Sequence, residues 1–380
     1  MSLNVKGDFM DPIDTVPGVY GRTHIHTGEG PKILQKIVEE KWAGKVKSVD
    51  REGNIVWKNI IGWYSNPRNE KELYKISFID GKSNGIIDYG TVLSVEHPIL
   101  TRRGYIAVGN LREDDLIATG DPLPGPRAEQ GLQGTLLGDG NISKNEQLSE
   151  QHSIKQKEYL QQKIKLYAPL MKKSPDGNRK SSAGQEYSGV YSVGLKSAGK
   201  LRVIFYYSLN KSYYFHDLRK KWYPLGVKII PQDLHQTLDL FGVAIWYMDD
   251  GHYNKYSSFA LGNRTQEEVE YLQSILRNFG FESKKFQDKR GYWDIVFNRE
   301  TTKGFLTAIA KYVPESMRYK LHEEACKIPF DSSFYEPEEA KTGWRRVKVI
   351  PYSTHHPRTL YSIDVESTHN FFTPGGIMSA

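Results

Sequence analysis

Residues Phe241–Gly251 read FGVAIWYMDDG, and every position from Val243 to Met248 is apolar. A helix over this stretch has no face left for water, so it must be packed on several sides. Asp249, Asp250 and Gly251 close the run at the end of the helix where the macrodipole is negative and carboxylates are disfavoured. Two acids held against that field point to a bound cation. On this stretch alone they fit equally well a solvated helix end with Gly251 in the left-handed conformation.

A second copy separates the readings. Gly131–Gly140 reads GLQGTLLGDG, and a gapless alignment sets Leu132 on Val243, Asp139 on Asp250 and Gly140 on Gly251, 111 residues apart. That spacing suits two repeats of one unit. The pair resembles the two LAGLIDADG motifs of single-chain homing endonucleases. The resemblance implies two helices side by side at a pseudo-two-fold interface, with Gly131, Gly134 and Gly242 letting the backbones approach. It implies that Asp139 and Asp250 are catalytic and hold Mg²⁺ between two DNA strands, with Gly138 and Asp249 beside them in the metal set. Lys228 in VKIIP and Lys320 in MRYKL fall where the family carries a basic residue after each repeat's sheet. They suit steadying charge on a phosphate, or plain phosphate contact.

Length and charge fit this picture. The chain has 380 residues, a formal net charge of +7 and one cysteine, Cys326. It is long enough for two domains, and the basic balance suits a nucleic-acid partner. A lone cysteine excludes an internal disulfide framework and a multi-cysteine metal site, which favours an intracellular setting, cytoplasm or nucleoid. No apolar run approaches the roughly 20 residues of a membrane span, and no secretory signal opens the sequence.

Residues 1–22 are rich in Gly, Pro and Asp without periodicity and read as a flexible lead-in. Beyond a short helical pattern at Ile33–Lys41, the runs Lys45–Val49, Ile55–Trp57, Leu73–Ile79 and Thr91–Val95 are β-type, with turn residues between them. Within this β region, Ser94-Val95-Glu96-His97 precedes an apolar strand and TRRGYIAVGNLREDDLIA. By itself His97 is a histidine at a strand end before a proline. The surrounding stretch resembles the catalytic-histidine region of the Hint (intein and hedgehog-type) domain, with Ser94 where the family has Thr. Leu360–Ile377, LYSIDVESTHNFFTPGGI, is similar to a late Hint block, with Asp364 and His369 at matching positions. The resemblance implies that His97 acts on the amide of an upstream splice junction. An intein nucleophile is expected near His24–Gly30, where only Thr23 and Thr27 offer hydroxyls. A terminal His-Asn is expected where the chain reads IMSA, so protein splicing is expected to be lost or disabled.

The expected fold class is therefore α+β: a mostly-β Hint domain split by an inserted pseudo-two-fold LAGLIDADG α/β endonuclease domain. The expected boundaries are 23–120 and 335–380 for the Hint parts and 121–334 for the insert, with repeats at about 127–230 and 231–334. In the first repeat, Ile142–Lys155 and Tyr187–Lys196 suit strands flanking a helix at Gln156–Met171. In the second, Tyr256–Asn263 and Tyr292–Asn298 suit strands, and Thr265 with Glu268 forms a capping box for a helix to Phe279.

Lys196, Lys200, Arg202, Lys211, Arg219, Lys220 and Lys221 make the most basic stretch, readable as a solvated face or as phosphate contacts. Lys255, Asn263, Arg264, Lys284, Lys289 and Arg299 are candidates for reading base edges. The expected activity is Mg²⁺-dependent double-strand cleavage by a monomer at a long asymmetric site in double-stranded DNA. The rivals are an intein with a decayed nuclease, and a non-cleaving nucleic-acid binder on the same scaffold.

Overall fold

The computed structural model describes residues 18–68, 72–78, 90–170, 186–187, 190–197, 200–208, 213–353, 358–373 and 378–379. The chain divides into two compact units, one of residues 1–123, 212–214 and 339–380, the other of residues 124–211 and 215–338. No helix among the described residues is long and apolar enough to cross a membrane.

The first unit is a network of antiparallel strands built from both ends of the chain. Its core includes Ile25, Val46, Ile76, Leu93, Ile117 and Ile363, with α1 (Leu34–Glu39) packed on it through Leu34 and Ile37. Leu116–Leu123 pairs with Lys341–Pro351, so the polypeptide leaves this sheet and returns to it on neighbouring strands. The lead-in expected through Arg22 ends earlier, because Val19–Tyr20 is a strand between Leu93 and the Leu360–Tyr361 pair. Val19 is fully buried there, and its ladder partners come from remote parts of the sequence. Residues 1–17 lie outside the described set. The strand expected at Ile55–Trp57 runs on to Pro67. Polar residues such as Lys58 and Asn59 interrupt its apolar pattern, but Lys45–Val49 pairs with its first part and Thr359–Val365 with its second.

The second unit holds two sheets. One has strands in the order 141–142, 148–153, 200–208, 190–197, 186–187; the other has the order 251–253, 257–262, 293–297, 283–287. Each sheet is preceded by one of the motif helices. α2 (Pro126–Leu137) starts with proline in its first turn, where the missing N–H costs nothing. α3 (Lys157–Tyr167) and α4 (Tyr213–Trp222) follow in the first repeat, and the one-turn α5 (Leu234–Thr237) leads to the second motif. α6 (Leu240–Asp250) buries every residue from Phe241 to Met248, as its unbroken apolar run requires. α7 (Gln266–Asn278) carries the Thr265–Glu268 capping box, and α8 (Arg299–Ile309) and α9 (Glu323–Cys326) complete the unit. Trp246, Tyr247, Phe259, Phe297 and Phe305 form an aromatic core beneath the second sheet.

Candidate active site at the paired helix ends

α2 and α6 meet through backbone rather than side chains. A Cβ on Gly134 would lie 2.2 Å from the carbonyl oxygen of Gly242, closer than any side chain permits. Gly131 faces elsewhere, towards Leu166 and the Tyr167 hydroxyl, so it serves the packing of α3 rather than the helix pair. At the other end, Asp239 caps α6 by accepting from the Gly242 N–H at 2.8 Å, and its own N–H donates to Gln130 Oε1 at 2.7 Å.

The close pairing brings the two motif acids to one place. Burial, and then the charge of Asp139, push the Asp250 carboxyl up to about 7. Asp139 is the more open of the two, with 44% of its side chain exposed. Each helix end carries its own lysine. Lys228 Nζ donates to the carbonyls of Gly138 at 3.2 Å and Gly140 at 2.8 Å. Lys320 Nζ donates to Met248 at 2.6 Å and Asp249 at 3.2 Å. These bonds satisfy the carbonyls that a helix leaves open and set a cation on its negative pole. Burial lowers both lysines, Lys228 to about 8, while the acids pull the other way. Gly251 is extended, with φ −74° and ψ 151°, so the left-handed helix end considered above does not occur.

Asp249 turns away from this pair. Its carboxylate accepts from Tyr159 Oη at 2.7 Å and from Lys163 Nζ at 3.0 Å on both oxygens. Lys163 also bonds Glu150, which accepts from His152 Nε2 at 2.6 Å, and His152 Nδ1 lies 3.8 Å from Asp139 Oδ2. Lys163 and the side chains of Glu150 and Asp249 are fully buried. Burial opposes charge on Lys163 and His152, but the carboxylates around them hold both pKa values above the ordinary ones. Burial pushes Asp249 upward, against the pull of Lys163.

Sequence reasoning missed Glu150, His152 and Lys163. Two signals were present: Glu150 and His152 share a strand face with buried Leu148, and Lys163 interrupts the helical stripe Tyr159, Leu160, Ile164, Tyr167.

Two arrangements of donors fit a metal differently. Ligand atoms of Asp139, His152 and Asp249 lie within 4.8 Å of one another, but the Lys163 ammonium already occupies both Asp249 oxygens. Gly138 and Asp249 were expected in the metal set, and their carbonyls are taken by Lys228 and Lys320. Asp139 and Asp250 are the better fit: two hard oxygen donors whose mutual repulsion a divalent cation would relieve.

The expected DNA-facing residues scatter. Arg219 is tied to the Ile142 carbonyl and stacks on Tyr223, Lys221 pairs with Asp233 at 2.8 Å, and Arg264 donates to the Lys228 carbonyl at 3.1 Å. All three therefore have structural partners within the fold. Lys220, Lys255, Asn263, Lys284, Lys289 and Arg299 are exposed. Lys196, Lys200 and Arg202 lie on paired strands, opposite Leu201, Ser197 and Leu195; Lys211 lies outside the described residues. The open face of the second sheet also presents His252, Ala260 and Phe286, His252 in register with Ser258 and both Ala260 and Phe286 with Asp294.

In the first unit, His97 is fully buried and neither ring nitrogen has a hydrogen-bond partner. Burial pushes it down to about 3. Asp364 Oδ1 and His369 Nδ1 lie 2.7 Å apart, a contact made with His369 at φ +53°. Next to it, Asn370 is buried and joined to Ser48, Val49, Thr368 and Tyr105. His97 makes no hydrogen bond to the Asp364–His369 pair.

Residues 130–305 match the model of the LAGLIDADG DNA endonuclease family. Over its length the chain is similar to Protein RecA of Mycobacterium shimoidei, 27% identical over 90% of this chain and 81% of that one. It is 31% identical to the cytochrome b mRNA maturase bI2 of Debaryomyces hansenii, over 33% of this chain and 50% of the maturase. Among solved structures it is similar to the homing endonuclease I-WcaI bound to its DNA recognition sequence. That likeness has 20% identity and a TM-score of 0.45, over 52% of this chain and 87% of the other.

Proposed function

We propose that this chain is a site-specific, Mg²⁺-dependent endonuclease that cuts both strands of a long asymmetric DNA site as a monomer. The observation that carries the proposal is the juxtaposition of Asp139 and Asp250 at two helix ends, each end holding its own lysine. Asp139 and Asp250 would hold the divalent ion, which would supply Lewis-acid stabilisation of charge at the scissile phosphate. Asp250, buried beside Asp139, orients the attacking water. Lys228 and Lys320, partly desolvated and fixed by carbonyls, face the negative charge that develops on the phosphate. One acid and one lysine per helix end suits one cut per strand, leaving short 3′ overhangs. The exposed Lys284 and Phe286 on the second sheet suit a role in reading the major groove.

The first unit is read as a Hint-type domain, with His97 and the Asp364–His369 pair as its functional groups. Support comes from a sheet built from both ends of the chain around the inserted unit. The rival reading, a maturase-like binder without cleavage, draws on the match to the Debaryomyces protein.

The test is cleavage of a randomised double-stranded DNA library with Mg²⁺, beside Asp250→Asn. Sequence-selective cutting that the variant loses supports the endonuclease; selective binding without cutting favours the maturase-like reading.

A further inference from the structure

The two repeats are unequal at matching positions. Asn141 pairs with Ser149, so Gly140 falls opposite Glu150 when that register is continued by one residue. In the second repeat, Gly251 falls opposite Phe259. Lys163 is the seventh residue of α3, and its counterpart, the seventh of α7, is Leu272. The buried Glu150–Lys163 ion pair of the first repeat thus stands where the second repeat buries Phe259 and Leu272. The fold does not require the charges, since the same place is filled by apolar residues 109 positions on. Replacing a buried ion pair with packed hydrophobic residues is often neutral or stabilising. Stability therefore does not account for the cluster, and its position does: it runs from Lys163 through Glu150 to His152, which faces Asp139, and it locks Asp249 at the other acid's shoulder.

Resting on the endonuclease reading, we propose that Glu150, His152 and Lys163 are positioning residues that make the two cutting centres unequal. His152, held by Glu150, fixes the carboxylate of the otherwise open Asp139. Lys163 keeps the Asp249 carboxylate out of the metal site. Asp250 sits at the other helix end, where Trp246 and the charge of Lys320 act on it, and Phe259 and Leu272 stand in place of the Glu150–Lys163 pair. The strand served by Asp139 therefore depends on the network, and the strand served by Asp250 does not.

The experiment follows each strand separately, on a duplex carrying the selected target with a different label on each 5′ end. The strand assigned to Asp139 is the one that Asp139→Asn slows more. His152→Gln and Glu150→Gln are then expected to slow that strand about tenfold, the effect of a displaced catalytic group, and the other by less than about threefold. Nicked product should accumulate, and the melting temperature of His152→Gln should stay close to that of the parent. If Glu150→Gln fails to fold, His152→Gln alone carries the test, because it leaves the Glu150–Lys163 pair intact. Equal slowing of both strands, no slowing, or equal effects of Asp139→Asn on the two strands overturns the inference while leaving the endonuclease intact. A parent protein that cuts neither strand overturns the endonuclease reading itself.

Discussion

The side chain of Asp249 occupies the space that Gly138 leaves empty: a Cβ on Gly138 would sit 2.4 Å from the Asp249 Cβ. The two residues hold equivalent places in the two motifs, one before each motif acid, Asp139 and Asp250. They cannot both be aspartate, because the helices are too close. The asymmetry of the site thus begins with a steric exclusion between equivalent positions, and the first repeat supplies Lys163 and Tyr159 to receive the one carboxylate that fits.

Asp139→Asn and Asp250→Asn should each abolish double-strand cutting, by roughly a hundredfold or more, while target binding persists. Gel shift and plasmid cleavage on the same samples check this. Unimpaired cutting by both variants would refute the assignment.

Stability should report on Asp250 directly. Its carboxyl lies near 7 in the folded chain, against 3.8 for the free group. Between these values the folded state binds more protons than the unfolded state, so this contribution to stability falls as pH rises from about 4 to 7. The penalty at pH 8 is on the order of a few kcal/mol. Asp250→Asn should therefore gain melting temperature relative to the parent as pH rises. Mg²⁺ should stabilise the parent at pH 8 and leave Asp139→Asn and Asp250→Asn little changed. Differential scanning fluorimetry across pH, with and without Mg²⁺, is the measurement.

Gly134→Ala should destabilise the second unit by about 2 kcal/mol. Alanine is the better helix former by roughly 1 kcal/mol, but its methyl would collide with the Gly242 carbonyl and with Ile245 Cβ, 2.8 Å away. Urea unfolding followed by tryptophan fluorescence tests this. A neutral or stabilising result would mean that the helices separate at little cost.

His97→Phe should stabilise the first unit by about 1–3 kcal/mol at neutral pH, because it removes two buried ring nitrogens without partners. The gain should grow on acidification. The unfolded histidine titrates near 6.5 and the folded one near 3, so between these values the unfolded state binds the extra proton and the parent loses stability as pH falls. Thermal unfolding at pH 8, 6.5 and 5 would show the two proteins diverging; parallel curves would contradict it.

What the sequence determined by itself was the duplication. An apolar run with no polar face dictates a buried helix, and two such runs with a shared acid and glycine at 111 residues' separation dictate two copies of one unit. The Thr265–Glu268 capping box was legible for the same reason: it is local, and its partners are three residues apart.

The tertiary structure decided everything that depends on register and remote partners. Val19 became a strand because Leu93 and Tyr361 flank it, and Arg219 and Arg264 became structural because carbonyls of Ile142 and Lys228 lie within their reach. Glu150, His152 and Lys163 were not singled out in the sequence, and β register and helix packing turn them inward onto Asp249 and Asp139. A buried charge survives only beside its partner, and here Lys163 lies 13 positions from Glu150 and 86 from Asp249 in the chain, separations that no periodicity records.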